Sequence, residues 1–98
     1  MYGSVFRLRP RPGQEQAMIA LMERWGRARR PKVEGFVSGQ VYRSEARPGE
    51  YVNTVVFTSR ETYMKNADDP EQDAWYRELR AALEADPEWE DGEVVVSM

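Results

Sequence analysis

The fold of this chain is decided by residues 51–57, which read Tyr51-Val52-Asn53-Thr54-Val55-Val56-Phe57. Such a run of β-branched and aromatic residues is typical of a strand. Alternate side chains of a strand point to opposite faces, so Tyr51, Val55 and Phe57 share one face while Val52 and Val56 share the other. Because both faces carry apolar bulk, we expect this strand to be covered on both sides.

The segments before this strand predict a hairpin and an opening strand. Val33–Ser44 is rich in Val, Phe and Tyr and reads as a long strand, in which Gly35 and Gly39 mark bulges or close approaches of the backbone. The turn at Arg47–Glu50 pairs it with the strand 51–57. Earlier in the chain, Tyr2–Arg9 alternates polar and apolar side chains as a strand does.

Two helical regions complete the pattern. The first is predicted over Gln14–Arg29, with an apolar stripe at Met18, Leu21, Met22 and Trp25. The second is split. Thr58 and Glu61 have the form of a capping box that starts a short helix ending near Asn66. Asp69 and Pro70 then start a helix that extends to about Ala85.

The last segment, Trp89–Met98, contains Val94–Val96 and predicts a final strand. The resulting order, βαββαβ, indicates an α+β ferredoxin-like protomer: an antiparallel four-stranded sheet with the helices on one face. The helices suffice to cover that face only, and two such sheets packed face to face would form a barrel. We therefore expect residues 1–98 to be a single domain that forms a homodimer through its sheet faces.

The composition excludes several classes of chemistry. The 98 residues include no Cys and no His, which rules out disulfides, thiol nucleophiles, His-based triads and His-ligated zinc or haem. No G-x-G-x-x-G loop follows a strand, so a dinucleotide has no phosphate cradle. The acidic pairs fall at helix starts and turns, where capping explains them. We expect no metal and no cofactor.

The partners are restricted in the same way. The net charge of −3 argues against an extended nucleic-acid surface. No apolar run approaches the roughly 20 residues of a membrane span, and no leader opens the chain, so a cytoplasmic location is expected. We interpret one basic run as an exposed helix end, because no known nucleic-acid-binding motif accompanies its members, Arg24, Arg27, Arg29, Arg30 and Lys32.

Three segments carry a family resemblance. They are Arg9–Glu15 after the opening strand, Val33–Gln40, and the strand-to-helix step Val56–Tyr63. In these segments the chain resembles the antibiotic biosynthesis monooxygenase-like proteins of the dimeric α+β barrel superfamily, with Glu-Gly-Phe where the family has Pro-Gly-Phe. The resemblance covers nearly the whole chain. It implies the ferredoxin-like dimeric fold, but the superfamily includes haem degraders, cofactor-free oxygenases, isomerases and decyclising enzymes.

The haem-degrading relatives use an Asn, a Trp and a His at three places that correspond here to Phe6, Asn66 and Tyr76. All three depart from that pattern, so haem degradation is disfavoured. Cofactor-free oxygenases of the anthrone type hold their substrate with Asn, Trp, Tyr and Arg side chains. This chain has those residue types, although at other spacings.

The resemblance thus implies a cofactor-independent monooxygenase, or a related small-molecule enzyme, acting on a hydrophobic aromatic or quinol-like compound. A non-catalytic dimer that binds such a ligand is the alternative. Once deprotonated, an electron-rich aromatic can itself donate electrons to O₂, so the protein need only bind, desolvate and stabilise the anion. Amide, indole, phenol and guanidinium groups suffice for that work.

Six residues are candidates for such a site. We assign catalytic roles to Asn66, Trp75 and Tyr76, and substrate binding to Tyr63, Arg80 and Arg43. Each has a structural alternative. Asn66 is also a common helix C-cap, and Trp75 lies on the apolar stripe of its helix, with its indole N–H facing a cavity only if it is functional. The tyrosines suit packing at a rim, and the arginines suit a solvated face.

Overall fold

The helices and strands follow one another in the predicted order. The computed structural model describes residues 1–98, with these bounds: β1 Tyr2–Leu8, α1 Glu15–Arg24, β2 Phe36–Arg43, β3 Tyr51–Phe57, α2 Arg60–Ala67, α3 Pro70–Ala81 and β4 Glu88–Glu93. Helix α1 continues into a π-helical turn, Trp25–Arg29, and a 3₁₀ turn, Arg30–Lys32.

The four strands form one antiparallel sheet in the order β2-β3-β1-β4. Strand β3 lies between β1 and β2, and its register places Tyr51 beside Leu8 on one side and beside Arg43 on the other. The predicted α+β ferredoxin-like protomer is therefore confirmed.

The core lies between the helices and one face of this sheet. The side chains that are fully buried come from both layers, since Leu8 lies on β1, Met18 on α1 and Leu79 on α3. The core cluster consists of Phe6, Leu8, Met18, Tyr51, Trp75, Leu79 and Leu83. The apolar stripes of α1 and α3 thus meet over β1 and β3, as the helical spacing predicts.

The opposite face of the sheet is more exposed. Val52, Thr54 and Val56 of β3 are half-buried, and Val5 of β1, which lies beside Thr54, is 42% exposed. The two-sided apolar pattern of β3 is real, but within one chain only its helical side is well covered. A second copy on the outer face stays a prediction.

The predicted final strand is wrong in its position. Strand β4 ends at Glu93, opposite Tyr2, the first residue of β1. Beyond that pair β1 offers no partner except the carbonyl of Met1, which accepts from the Val94 N–H at 2.9 Å. Val94–Val96 therefore lies outside the sheet despite its high β-propensity, and Val95 is 88% exposed.

The start of α2 also differs from the prediction. The N-cap is Ser59, not Thr58, and Ser59 and Thr62 form a reciprocal capping box. The Ser59 hydroxyl accepts from the Thr62 N–H at 3.1 Å, and the Thr62 hydroxyl accepts from the Ser59 N–H at 3.3 Å. The Thr58 N–H donates instead to the Gly35 carbonyl at 2.8 Å, which ties the residue after β3 to the segment before β2.

Helix α3 ends at Ala81, earlier than the predicted Ala85. The residues that follow it pair with the segment after β1. The Arg11 N–H donates to the Ala82 carbonyl at 2.8 Å, and the Glu84 N–H donates to the Arg9 carbonyl at 2.9 Å. These long-range hydrogen bonds replace the last helical turn. In contrast, the predicted start of α3 is confirmed, with Asp69 as the N-cap.

Candidate functional site

A half-open cavity of about 620 Å³ lies between the helices and the sheet. This volume falls within the range of small-molecule sites, which is roughly 300–1,000 Å³. Aromatic rings form a large part of its wall, and besides two tyrosines they come from strands, helices and the π-helical turn: Phe6, Trp25, Phe36, Phe57, Trp75 and Trp89.

Several of these rings contact one another. The centroids of Trp25 and Phe36 are 5.0 Å apart, those of Phe36 and Phe57 are 5.5 Å apart, and those of Phe57 and Tyr63 are 5.4 Å apart. Tilted and edge-on pairs at these distances are favourable and hold the rings in fixed orientations. The cavity therefore has a preformed aromatic side wall.

Asn66, near the end of α2, lines the cavity. Its Oδ1 accepts a hydrogen bond of 2.8 Å from Arg29 Nη2. The alternative of a C-cap with left-handed backbone is wrong, because the C-cap of α2 is Asp68, in right-handed conformation, and only glycines have positive φ. The side chain of Asn66 is thus held by an arginine from the π-helical turn that follows α1.

Trp75 also lines the cavity, but only with its ring. The indole Nε1–H donates to the Leu21 carbonyl at 2.9 Å, which ties α3 to α1. The functional alternative, in which this N–H faces a ligand, is therefore wrong. What Trp75 offers to a ligand is an apolar surface.

The two candidate tyrosines, Tyr63 and Tyr76, line the cavity as well. The Tyr63 hydroxyl donates to Asp91 Oδ1 at 3.1 Å, and the same carboxylate oxygen accepts from the Ser4 hydroxyl at 2.6 Å. Burial raises the pKa of Tyr63 to about 12 and also raises the pKa of Tyr76. Both phenols are therefore neutral at physiological pH, and the Tyr63 oxygen can accept a hydrogen bond from a ligand.

The two candidate arginines do not reach the cavity. Arg43 Nη2 donates to Glu15 Oε1 at 3.0 Å, and its Nε donates to the Tyr51 hydroxyl at 3.3 Å. Arg80 donates from Nε to Asp86 Oδ1 at 2.6 Å. Each guanidinium is drawn to a nearby carboxylate, so neither belongs to the wall of this site.

Sequence reasoning missed Asn53, which is 7% exposed and lies on the cavity wall. Its side-chain Nδ2 contacts the thioether of Met22 at 3.8 Å, a weak acceptor. The signal was present in the sequence, because Asn53 alternates with Tyr51 and Val55 and so must point toward the helices. A buried amide in an otherwise apolar strand face is a candidate ligand contact.

The interpretation of the basic run as a solvated helix end is wrong for Arg29, which is 8% exposed. Arg30 lies over the ring of Phe36, at 5.1 Å from its centroid, and lines the cavity. Arg29 follows Trp25 by four residues, so the helical spacing of the apolar stripe could have placed it on the buried face.

No group of three acidic side chains is placed so that it could hold a metal ion. None of the helices has both the length and the apolar character that crossing a bilayer requires.

The fold and the cavity together define a ferredoxin-like α+β protomer with an aromatic-lined cavity under its helices. The model of the antibiotic biosynthesis monooxygenase family matches residues 1–78, which is most of the chain. The chain therefore belongs to the antibiotic biosynthesis monooxygenase family. No curated protein sequence matches it significantly.

Solved structures share the fold over nearly the full length. An antibiotic biosynthesis monooxygenase-like protein from Caulobacter crescentus matches with a TM-score of 0.86 at 16% identity, covering 97% of this chain and 90% of its own. SnoaB, a cofactor-independent oxygenase from Streptomyces nogalater, matches with a TM-score of 0.81 at 20% identity, covering 99% and 95%. A similar protein from Chloroflexus aurantiacus matches with a TM-score of 0.79 at 23% identity, covering 99% and 95%.

Proposed function

We propose that this protein is a cofactor-independent monooxygenase, or a related small-molecule enzyme, that acts on a hydrophobic aromatic compound of the quinol or anthrone type. The observation that carries the proposal is the aromatic-walled cavity of about 620 Å³, in which amides and neutral phenols are set among rings. The shared fold with a cofactor-independent oxygenase supports the same class of reaction.

The chemistry suits such a cavity. An anthrone that loses a proton becomes an electron-rich enolate, which can reduce O₂ and form a carbon–oxygen bond with it. In the completed reaction the CH₂ group becomes a carbonyl, one oxygen atom stays in the product, and the other leaves as water. The protein contributes an aromatic slot for the ring system and fixed hydrogen-bond donors for the anionic oxygen.

We assign different roles in this reaction to different residues of the cavity wall. Asn66 and Asn53 are proposed to bind the substrate oxygens, since both present amides at the cavity wall. The neutral phenol of Tyr76 is proposed to form a hydrogen bond with the part of the substrate that reacts. The Tyr63 hydroxyl is proposed to accept a hydrogen bond from a substrate hydroxyl. Trp75 is proposed to stack on the substrate rings. Arg43 and Arg80 take no part, because their carboxylate partners hold them elsewhere.

The proposed unit is a homodimer of one domain, residues 1–98. The family match ends at residue 78, but β4 lies beyond it and pairs with β1, so the sheet is incomplete without the last segment. The half-exposed outer face of the sheet, with Val5, Val52 and Val56, is the surface that a second copy would cover.

Oxygen uptake tests the proposal. Dithranol, a hydroxylated anthrone, and a naphthohydroquinone are each added to the wild-type protein and to buffer alone in an oxygen electrode. We expect protein-dependent O₂ consumption that falls at least tenfold in Asn66→Ala and is unchanged in Arg80→Gln, which alters a residue outside the cavity. Saturable binding of both compounds without O₂ uptake would contradict catalysis and favour the alternative, a ligand-binding dimer.

A further inference from the structure

Arg29 ends the π-helical turn and is buried, with 8% of its surface exposed. Its Nη2 donates to Asn66 Oδ1 at 2.8 Å, and its Nη1 donates to Glu71 Oε2 at 2.9 Å. Asp69 Oδ2 lies 3.5 Å from the same Nη2. One guanidinium thus joins the turn after α1 to the junction of α2 and α3.

The contact with Asn66 has a chemical direction. A guanidinium can only donate hydrogen bonds, so the side-chain atom of Asn66 that faces Arg29 must be the amide oxygen. The amide Nδ2 then points away from Arg29 and makes no hydrogen bond to another protein group. Asn66 lines the cavity, and the NH₂ is the part of its amide that has no protein partner.

We propose that Arg29 is a positioning residue that locks the Asn66 amide with its NH₂ toward the cavity, so that the site selects the anionic form of a phenol-like ligand. If the amide turned over, its oxygen would face the ligand and repel the anion. The inference rests on the proposed function, because it concerns how the same cavity stabilises a deprotonated substrate.

The surroundings of Arg29 fit this role. The carboxylates of Asp69 and Glu71 compensate its buried charge, so the cation does not itself act on the ligand as an unpaired charge. Asp69 is also the N-cap of α3, which makes its position rigid. Arg29 Nε is buried without a partner, so the guanidinium bonds only through its two terminal nitrogens.

The test uses para-nitrophenol, whose neutral and anionic forms absorb at different wavelengths. We expect the wild-type protein to lower the pKa of the bound phenol by about one pH unit, as a hydrogen bond to a charged oxygen would. Asn66→Ala should abolish this shift because it removes the amide. Arg29→Gln should abolish it as well, because glutamine offers both a donor and an acceptor and so does not fix which end of the Asn66 amide faces it. Arg29→Lys, which can only donate, should restore at least half of it.

Two controls separate positioning from stability. Glu71→Gln removes a charge beside Arg29 but leaves the contact with Asn66, so the pKa shift should persist. Para-nitroanisole, which cannot ionise, should bind wild type and Arg29→Gln within twofold of each other. Nitrogen–proton NMR of the wild-type protein adds a test that needs no Arg29 variant to fold: the Asn66 NH₂ resonances should move with para-nitrophenolate and not with para-nitroanisole.

The outcomes are distinct from those of the oxygen experiment. Loss of the shift in Asn66→Ala with full retention in Arg29→Gln would overturn the positioning role while leaving Asn66 as the donor. The positioning role would also be overturned if para-nitrophenolate did not move the NH₂ resonances of Asn66. Retention of the shift in both variants would remove Asn66 from the site, a failure of the proposed function itself.

Discussion

The indole Nε1 of Trp25 donates a hydrogen bond of 2.7 Å to Oε1 of Gln72. Trp25 begins the π-helical turn, and Gln72 lies in the first turn of α3, so this bond joins the two elements at the cavity wall. It runs beside the contact of Arg29 with Asn66. The extra residue in a π-helical turn is a frequent feature of functional sites, and here Trp25 and Arg29, the first and last residues of the turn, both face inward.

Replacing Trp25 with Phe should keep an aromatic ring in the wall but remove the donor to Gln72. We expect the free energy of unfolding to fall by about 1–3 kcal/mol, from the lost hydrogen bond and the smaller ring. Urea titration followed by circular dichroism measures this change. Trp25→Phe combined with Gln72→Leu should recover part of the loss; if the double variant is less stable by the full sum of the two single losses, the bond has no coupling energy.

Gly35 is expected to tolerate no side chain. Its φ is +79°, and an added Cβ would collide with the side chains of Thr62 and Thr58. Gly35→Ala should therefore lower the free energy of unfolding by roughly 2 kcal/mol or more. Gly26→Ala is the matched control, because a Cβ there meets no atom within 4 Å and should leave stability unchanged or slightly higher. Equal stability of the two variants would contradict the assigned close approach.

The Tyr63 hydroxyl should lose its proton at a higher pH than an ordinary tyrosine does. Burial raises its pKa from an ordinary value near 10 to about 12. A raised pKa in the folded state means that the native protein prefers the neutral phenol. The stability this contributes is therefore complete below pH 10 and is lost as the pH rises toward 12. Ultraviolet difference titration of wild type against Tyr63→Phe checks this, and a difference centred near pH 10 would be the contrary result.

The outer face of the sheet should be an interface between two copies. Sedimentation of the wild type at micromolar concentration is expected to give about twice the chain mass of 11.4 kDa. Val5→Glu places a carboxylate beside Glu90 on this face and should shift the protein to monomer while its secondary structure remains. Val95→Glu, outside the sheet, is the control and should sediment as wild type does. A stable, well-folded wild-type monomer would contradict the predicted dimer.

Local patterns were sufficient to predict the order of strands and helices. The alternation in 51–57 and the helical stripe that ends at Trp25 depend only on neighbours in the sequence, and both appear as expected. The errors arose where a pairing partner far away in the sequence determines the local structure. Val94–Val96 has the composition of a strand, but β1 has no residues left to pair with it.

The site was less predictable than the fold for the same reason. Asn66, Trp75, Tyr63 and Tyr76 line one cavity, but the direction of each polar group depends on a partner far away in sequence, such as Leu21 for the Trp75 indole. Arg43 and Arg80 were credible ligands until their carboxylate partners were known. Arg29 was interpreted as a solvated helix end on its charge alone, because its partners Asn66 and Glu71 lie far away in sequence.

The central claim is that the cavity itself promotes oxygen transfer to an aromatic substrate. Dithranol is incubated with the protein under isotopically heavy dioxygen, and the quinone product is analysed by mass spectrometry against time and protein concentration. The account predicts one heavy oxygen atom per quinone, formed at a rate proportional to wild-type protein and at least tenfold lower with Asn66→Ala. Quinone formation at the same rate with wild type, with Asn66→Ala and with buffer alone would contradict it.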